Sequence, residues 1–218
     1  SLAMIRLITG VMLLLGLTIA TATAQPARTP IVNTEYTRAN GQRILLGHCT
    51  PAVMRNGIYG EWYYRSYQDY TVNKALIQNF APRLEGKSIE IFAGSWCGDT
   101  RREIPRLIKI LETAGFDTTK LTLIFVDNSK TLYKQSPQHE EVGKAIHRIP
   151  TIIVYDGKNE LGRIVETPVR SLEEDLADIL SGAPYRSKFF AITYWLQLTG
   201  ADGSRTDRKL SPSRLKRI

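Results

Sequence analysis

The sequence predicts an α/β domain, a sheet flanked by helices, and two adjoining segments carry most of that prediction. Residues 89–93 form a short apolar run of branched and aromatic side chains, which is typical of a buried strand. Shortly after it, residues 104–111 repeat apolar side chains at helical spacing, with basic side chains on the opposite face. Between strand and helix lies the sequence Trp-Cys-Gly-Asp-Thr, at residues 96–100.

Further strands and helices are predicted on both sides of this unit. Strands are predicted at residues 43–46, 121–126, 152–155 and 161–165, and helices at residues 72–84, 140–147 and 172–180. Gly115 ends the central helix as a C-terminal glycine does. The turn residues at 156–159 join the last two strands as a hairpin, and Ser171 caps the last of these helices.

The first 24 residues are predicted to be a secretory signal peptide. Arg6 precedes an apolar run at residues 7–20, and Ala-Thr-Ala at residues 22–24 gives the small-x-small pattern of a cleavage site. The run is short for a membrane-spanning helix of about 20 residues, which favours a cleaved signal over an anchor. Residues 1–3, ahead of Met4, are interpreted as a cloning remnant or an upstream start. We therefore expect a periplasmic or secreted protein.

Composition divides the remaining chain into four regions. They are an aromatic-rich N-terminal extension (25–70), the α/β domain (71–182), a C-terminal helix packed on the body (183–199) and a flexible basic tail (200–218). The extension contains an aromatic cluster, which consists of Tyr59, Trp62, Tyr63, Tyr64, Tyr67 and Tyr70. This cluster is interpreted as a packing patch, with a ligand-binding surface as the alternative. The tail holds six basic and two acidic residues, which is +4 of the formal net charge of +8. Since the charge is not spread over a folded face, we expect no nucleic-acid binding, and membrane contact only through the tail.

The chain has two cysteines, Cys49 and Cys97, and an exported protein can keep a disulfide. The two can pair with each other, pair with a partner, or stay free. A bridge between them would need Cα atoms about 4.4–6.8 Å apart. The alternative is that Cys49 is buried and inert. The cysteines and the three histidines are too scattered for a metal site, so we expect neither a metal nor a cofactor.

Cys97 is the candidate nucleophile. A thiol between a strand and a helix N-terminus lies near unpaired N–H groups and the positive end of the helix dipole, and both favour the thiolate. We expect the Thr100 hydroxyl to donate a hydrogen bond to the thiolate, and Asp99 either to oppose it or to cap the helix. Attack on a disulfide would leave a mixed disulfide, which a second thiol must release. Cys49, a small thiol such as glutathione, or a partner protein could supply that thiol.

The order of elements and the residues at the strand–helix junction resemble the thioredoxin fold. Residues 96–98 (Trp-Cys-Gly) match the start of the thioredoxin active-site motif, and Pro105 matches the proline that kinks the active-site helix. Residues 149–151 (Ile-Pro-Thr) match the cis-proline segment, and Asp127 and Gly157 also correspond in position. The resemblance covers residues 72–180, and the motif is similar to that of a group of exported bacterial thioredoxin-like proteins.

This resemblance implies a central mixed β-sheet flanked by helices. It also implies that the backbone of Ile149 and the ring of Pro150 hold the substrate, while Trp96 shields the thiol. Two positions depart from the family pattern. Thr100 stands where thioredoxins have their second cysteine, and Ile91 stands where they have a buried acid.

Together these features predict an atypical thiol–disulfide oxidoreductase that acts on protein or small-molecule thiols and disulfides. Cys97 is its predicted nucleophile and Cys49 its candidate resolving cysteine. The alternative is a redox-inactive or monothiol thioredoxin-fold module that holds a partner protein.

Overall fold

The computed structural model describes residues 32–202, so the predicted signal peptide and the tail beyond residue 202 lie outside the described residues. The strands are β1 (Thr34–Thr37), β2 (Arg43–Cys49), β3 (Lys87–Ala93), β4 (Leu121–Phe125), β5 (Thr151–Asp156) and β6 (Asn159–Val165). The helices are α1 (Gly57–Asp69), α2 (Lys74–Phe80), α3 (Gly98–Thr113), α4 (Leu172–Ser181) and α5 (Phe190–Thr199).

The strands form one mixed sheet in the order β1-β2-β4-β3-β5-β6. The β3 and β4 strands are parallel because α3 carries the chain back across the sheet between them, with Ile89 opposite Leu121. The other neighbouring strands are antiparallel. This is the mixed sheet flanked by helices that the sequence predicted.

Alternation along the strands divides the core between the two faces of the sheet. Ile91 and Leu123 belong to a large cluster that also takes in the apolar faces of α1, α2, α3 and α4. Phe92 and Ile124, one residue further along, belong to a smaller cluster with Ile153. Since side chains in a strand point alternately to opposite faces, α1 to α4 all cover one face of the sheet.

Residues of the N-terminal extension are built into this body. β2 pairs with β4 through Cys49, beyond the predicted end of the strand at residue 46. The extension also supplies α1, and its Tyr59 and Tyr63 are buried in the large cluster. For these two residues the packing interpretation of the aromatic cluster is confirmed.

Two predicted helices differ from those observed. The helix predicted at 72–84 is α-helical only to Phe80 and then continues as a 3₁₀ turn (Ala81–Leu84), because Pro82 has no N–H to donate. The helix predicted at 140–147 is a series of turns. There the backbone has positive φ at His139, Gly143 and Ala145, which no α-helix accommodates.

The C-terminal helix forms as α5, but the prediction that it packs on the body is wrong for most of its surface. Thr193 is its one buried residue. The large apolar side chains of α5 are instead 39–52% exposed.

Candidate active site

Cys97 occupies the N-cap position of α3, where the chain leaves β3. Its N–H donates to the Gly94 carbonyl at 2.8 Å, and its carbonyl accepts from the Arg101 N–H at 3.1 Å. The side chain is partly exposed and makes no capping hydrogen bond. The thiol therefore lies at the positive end of a 16-residue helix and is open to solvent.

The segment before β5 lies against this thiol. The Cys97 Sγ is 3.6 Å from the Ile149 carbonyl oxygen, and the Ile149–Pro150 peptide bond is cis, as the resemblance predicted. The Thr151 hydroxyl donates to the Arg148 carbonyl at 2.6 Å, which ties the two sides of this segment together. The structure thus brings Cys97, Ile149 and Pro150 to one place, although they are far apart in sequence.

Trp96 forms one wall of the site. Its Nε1 donates to the Val126 carbonyl at 2.9 Å, which fixes the ring over the end of β4, and Tyr133 lies beside it at 6.2 Å between ring centroids. Gly94 allows this arrangement. A Cβ at Gly94 would lie 2.7 Å from both the Ile149 Cδ1 and the Trp96 Cε2 atoms.

Thr100 does not have the surroundings expected for it, and Asp99 pairs with a basic residue of its own helix. The Thr100 side chain is fully buried, and its Oγ1 accepts a hydrogen bond from the Gly94 N–H at 3.1 Å. That hydrogen bond holds the loop before Cys97 in place. The expected hydrogen bond from Thr100 to the Cys97 sulfur is not among those of residues 32–202. Asp99 pairs with Arg102 at 2.6 Å, so its negative charge is partly balanced by its own helix.

Cys49 is not brought to Cys97. Both cysteines are free, and Cys49 is buried in the large cluster, where burial raises the pKa of its thiol to about 12. Cys49 lies on β2, and Cys97 contacts Ile149, in the segment that leads into β5. In the sheet, β4 and β3 lie between β2 and β5. The two cysteines also pack in different parts of the core, because Cys97 lies against the smaller cluster around Phe92 and Ile149. The structure therefore gives no Cys49–Cys97 bridge.

An ion pair ties the extension to the end of β4 near Trp96. Arg38 donates to the Asp127 carboxylate at 2.6 Å, and so does the Ser129 N–H at the same distance. Burial alone would raise the pKa of Asp127, but these hydrogen bonds outweigh it and hold the pKa below its ordinary value. Asp127 therefore remains an anion and anchors the turn between β1 and β2 beside the site.

Sequence reasoning missed two residues that shape the site. Gly94 admits the Trp96 ring, and the buried Ser95 hydroxyl accepts from the Leu45 N–H at 3.0 Å, which holds β2 against the loop. Neither residue type is unusual in a loop after a strand. Only the distances between them and the neighbouring segments identify their roles.

Within residues 32–202, no group of three or more His, Cys, Asp or Glu side chains is arranged to hold a metal ion. In the same part of the chain, every helix is too short or too polar to cross a membrane. The candidate site is formed by a partly exposed thiol, the Trp96 ring and the buried Ile149–Pro150 segment.

Comparison with known proteins assigns the family. The family model described as thioredoxin matches residues 57–177, more than half of the chain, and this range contains both Cys97 and Pro150. The chain belongs to the thioredoxin family.

Two solved structures are similar to the chain at low identity. A Pseudomonas aeruginosa protein of unknown function is 20% identical, with a TM-score of 0.38, over 73% of this chain and 94% of that one. An HIV epitope scaffold is 16% identical, with a TM-score of 0.26, over 68% of this chain and 100% of the scaffold. The search of curated proteins gave no match.

Proposed function

We propose that the protein is a monothiol member of the thioredoxin family, which exchanges thiols and disulfides through Cys97. The observation that carries this proposal is the position of the Cys97 sulfur. It is partly exposed at the N-terminus of α3 and 3.6 Å from the backbone of Ile149, next to Pro150. The sulfur lies at the positive end of the helix and is open to a substrate from solvent.

The first step is attack of the Cys97 thiolate on one sulfur of a substrate disulfide. The new bond joins the Cys97 Sγ to that sulfur, the substrate S–S bond breaks, and the second substrate sulfur leaves as a thiolate that takes a proton from water. The substrate has gained one thiol, and its other sulfur is held on Cys97. No net oxidation or reduction has yet occurred, because one disulfide has replaced another.

The second step needs another thiol, and the surroundings of Cys49 do not favour it for this role. Its burial, its raised pKa and its place on β2 all act against attack on a bond at Cys97. We therefore propose an external thiol, either a small one such as glutathione or a cysteine of a partner protein. Its thiolate attacks the substrate sulfur of the mixed disulfide, and Cys97 leaves as a thiolate.

Substrate binding is assigned to the wall around the sulfur. Ile149 and Pro150 are themselves buried, so the proposed contact for a peptide or a small disulfide is the Ile149 carbonyl beside the sulfur. Trp96 packs against the same cluster as Ile149 and lines the site next to it. Trp96 is held in place by its bond to the Val126 carbonyl. The proposal also includes export, for which the apolar run at residues 7–20 and the small residues at 22–24 are the support.

The test is thiol–disulfide exchange between the full chain and a mixed disulfide of glutathione. Mass spectrometry and the rate of glutathione release both monitor this exchange. Cys97→Ser should lower the rate to the background. Cys49→Ser, the matched control, should leave it within about twofold of the parent, because Cys49 is outside the site. Thr100→Cys should add insulin-disulfide reduction, since it places a second thiol within the motif. A Cys97→Ser variant as active as the parent would overturn the proposal.

Thiol labelling separates the enzyme from the alternative, a module that only holds a partner protein. Iodoacetamide should modify Cys97 in the folded protein and should reach Cys49 only after unfolding, because Cys49 is 7% exposed and its pKa is raised to about 12. Peptide mapping after timed labelling gives both rates. If Cys97 reacts as slowly as Cys49, the thiol is inaccessible and the binding module is the better description.

A further inference from the structure

The α5 helix exposes an apolar surface that nothing in the described chain covers. Its ten residues, Phe190–Thr199, include no charged side chain, and only Thr193 is buried. Five large apolar side chains are between 39% and 52% exposed: Phe190, Ile192, Tyr194, Trp195 and Leu198. Single exposed apolar residues are ordinary, but a whole helix of them marks an interaction surface.

These side chains form one continuous surface. At about 100° per residue, Phe190, Tyr194 and Leu198 follow one another along the helix, and Trp195 and Ile192 extend the same surface around it. The exposed apolar arc covers roughly half of the helix circumference, and Thr193 lies on the opposite side. The surface is therefore broad, and the remaining side of the helix, which carries Thr193, is left for contact with the body.

Contacts on the other side fix the helix to the body. The Thr193 hydroxyl lies 3.3 Å from the His147 Nδ1, and the Phe189 ring packs edge-on to the His147 ring at 6.2 Å. Arg148 places its guanidinium 4.3 Å from the Phe189 ring centroid. Phe190 and Tyr194, at one edge of the apolar surface, border a groove against Glu160 and Arg163 of β6. Ile192, Trp195 and Leu198 lie farther around the helix and are 42–51% exposed.

Positive charge flanks the apolar surface at both ends. Before the helix, Arg186 stacks over Phe190 at 5.4 Å, and Lys188 donates to the Thr167 hydroxyl at 2.6 Å. After the helix, the chain carries six basic residues against two acidic ones: Arg205, Arg208, Lys209, Arg214, Lys216 and Arg217 against Asp202 and Asp207. Aromatic residues favour the headgroup region of a bilayer, and neighbouring basic residues are attracted to anionic lipid.

We propose that α5 binds the surface of an anionic lipid bilayer and lies in the plane of the interface. A helix of ten residues is about 15 Å long, half the thickness of the hydrocarbon core, so it can lie at the interface but cannot cross it. Trp195 and Tyr194 have the amphipathic rings that favour the headgroup region. The basic residues that follow α5 in the sequence would add electrostatic attraction to anionic lipid.

A second copy of the chain fits this surface less well. A second copy carries the same basic residues before and after α5, and like charges on two partners oppose association. A membrane of anionic lipid instead supplies the opposite charge to both flanks. The charge pattern therefore favours the bilayer over self-association.

The test uses the full chain and vesicles made from equal parts phosphatidylglycerol and phosphatidylcholine, with pure phosphatidylcholine vesicles for comparison. The binding variant is Ile192→Ser/Trp195→Ser/Leu198→Ser. The matched control is Val32→Ser/Tyr36→Ser/Ile58→Ser, which changes three residues of similar exposure on β1, α1 and the segment before β1. Both variants alter exposed side chains, so both should fold like the parent.

We expect the parent and the control to partition onto the anionic vesicles, and the binding variant to partition at least about tenfold less. Arg214→Gln/Lys216→Gln/Arg217→Gln should weaken partitioning by about fivefold per charge, and added salt should have the same effect. Equal binding to pure phosphatidylcholine would overturn the proposal. A lipid-free dimer that the binding variant abolishes would also overturn it, and would assign the surface to a second copy.

The apolar run at residues 7–20 can itself bind lipid, so the contact of α5 with lipid must be measured separately, by tryptophan fluorescence. In a Trp62→Phe/Trp96→Phe background, Trp195 is the remaining tryptophan, and lipids with brominated acyl chains should quench its fluorescence. Vesicle binding without that quenching would place the contact elsewhere in the chain and overturn the proposal.

Discussion

Replacing Gly94 with alanine should disturb the candidate active site through a single methyl group. The new Cβ would lie 2.7 Å from the Ile149 Cδ1 and Trp96 Cε2 atoms and 2.9 Å from the Trp96 Nε1 atom. Gly94 is not among the residues with positive φ, so its backbone accepts alanine and the effect is one of crowding. The Ile149 methyl can rotate away, but the Trp96 ring is held by its bond to the Val126 carbonyl.

The size of the effect follows from these contacts. Overpacking of a well-packed site costs about 1–3 kcal/mol. Loss of the hydrogen bond between Trp96 and Val126 adds about 1 kcal/mol. We therefore expect Gly94→Ala to lower the free energy of unfolding by about 1–4 kcal/mol. Because the Gly94 N–H and carbonyl bond to Thr100 and Cys97, any backbone shift also moves the nucleophile.

Urea unfolding followed by circular dichroism measures the stability, and the iodoacetamide labelling rate of Cys97 measures the local change. Gly98→Ala is the matched control, since a Cβ there meets nothing within 4 Å and alanine favours a helix. It should leave stability unchanged or raise it by up to about 1 kcal/mol. If Gly94→Ala is as stable as the parent and Cys97 reacts at the parental rate, the crowding argument is refuted.

Two further predictions concern polar groups away from the thiol. Glu173 is 2% exposed and accepts from the Tyr70 hydroxyl at 2.6 Å and the Asn73 N–H at 3.0 Å, so Glu173→Ala should cost about 1–3 kcal/mol by urea unfolding. Adding Tyr70→Phe should recover part of that loss, and no recovery would contradict the assignment. Burial lowers the pKa of His147 from its ordinary 6.5, so the unfolded chain binds the proton more readily. The free energy of unfolding should therefore fall as the pH drops below about 6.5. His147→Gln should reduce this dependence of stability on pH. If the dependence is unchanged in the variant, other groups cause it.

Much of the fold could be predicted from the sequence because its signals are local. Apolar runs and helical spacing depend on residues that are close in the chain, so the central strand, α3 and α4 were predicted near their observed positions. The failures arose where local patterns were ambiguous. Residues 140–147 have a composition that a helix tolerates, but the backbone there makes turns with positive φ at Gly143 and Ala145.

The candidate site, like the fold, could be predicted from the sequence only in part. The sequence by itself determined that a cysteine stands between a strand and a helix, that a threonine replaces the usual second cysteine, and that Ile149-Pro150 belongs to the same family pattern. Only the tertiary structure decided which of these residues meet. The sheet order sets Cys97 beside Ile149 and keeps Cys49 on β2, three strand spacings from β5. Strand order depends on pairing between residues that are far apart in the chain, so the residues next to each cysteine in the sequence do not predict it.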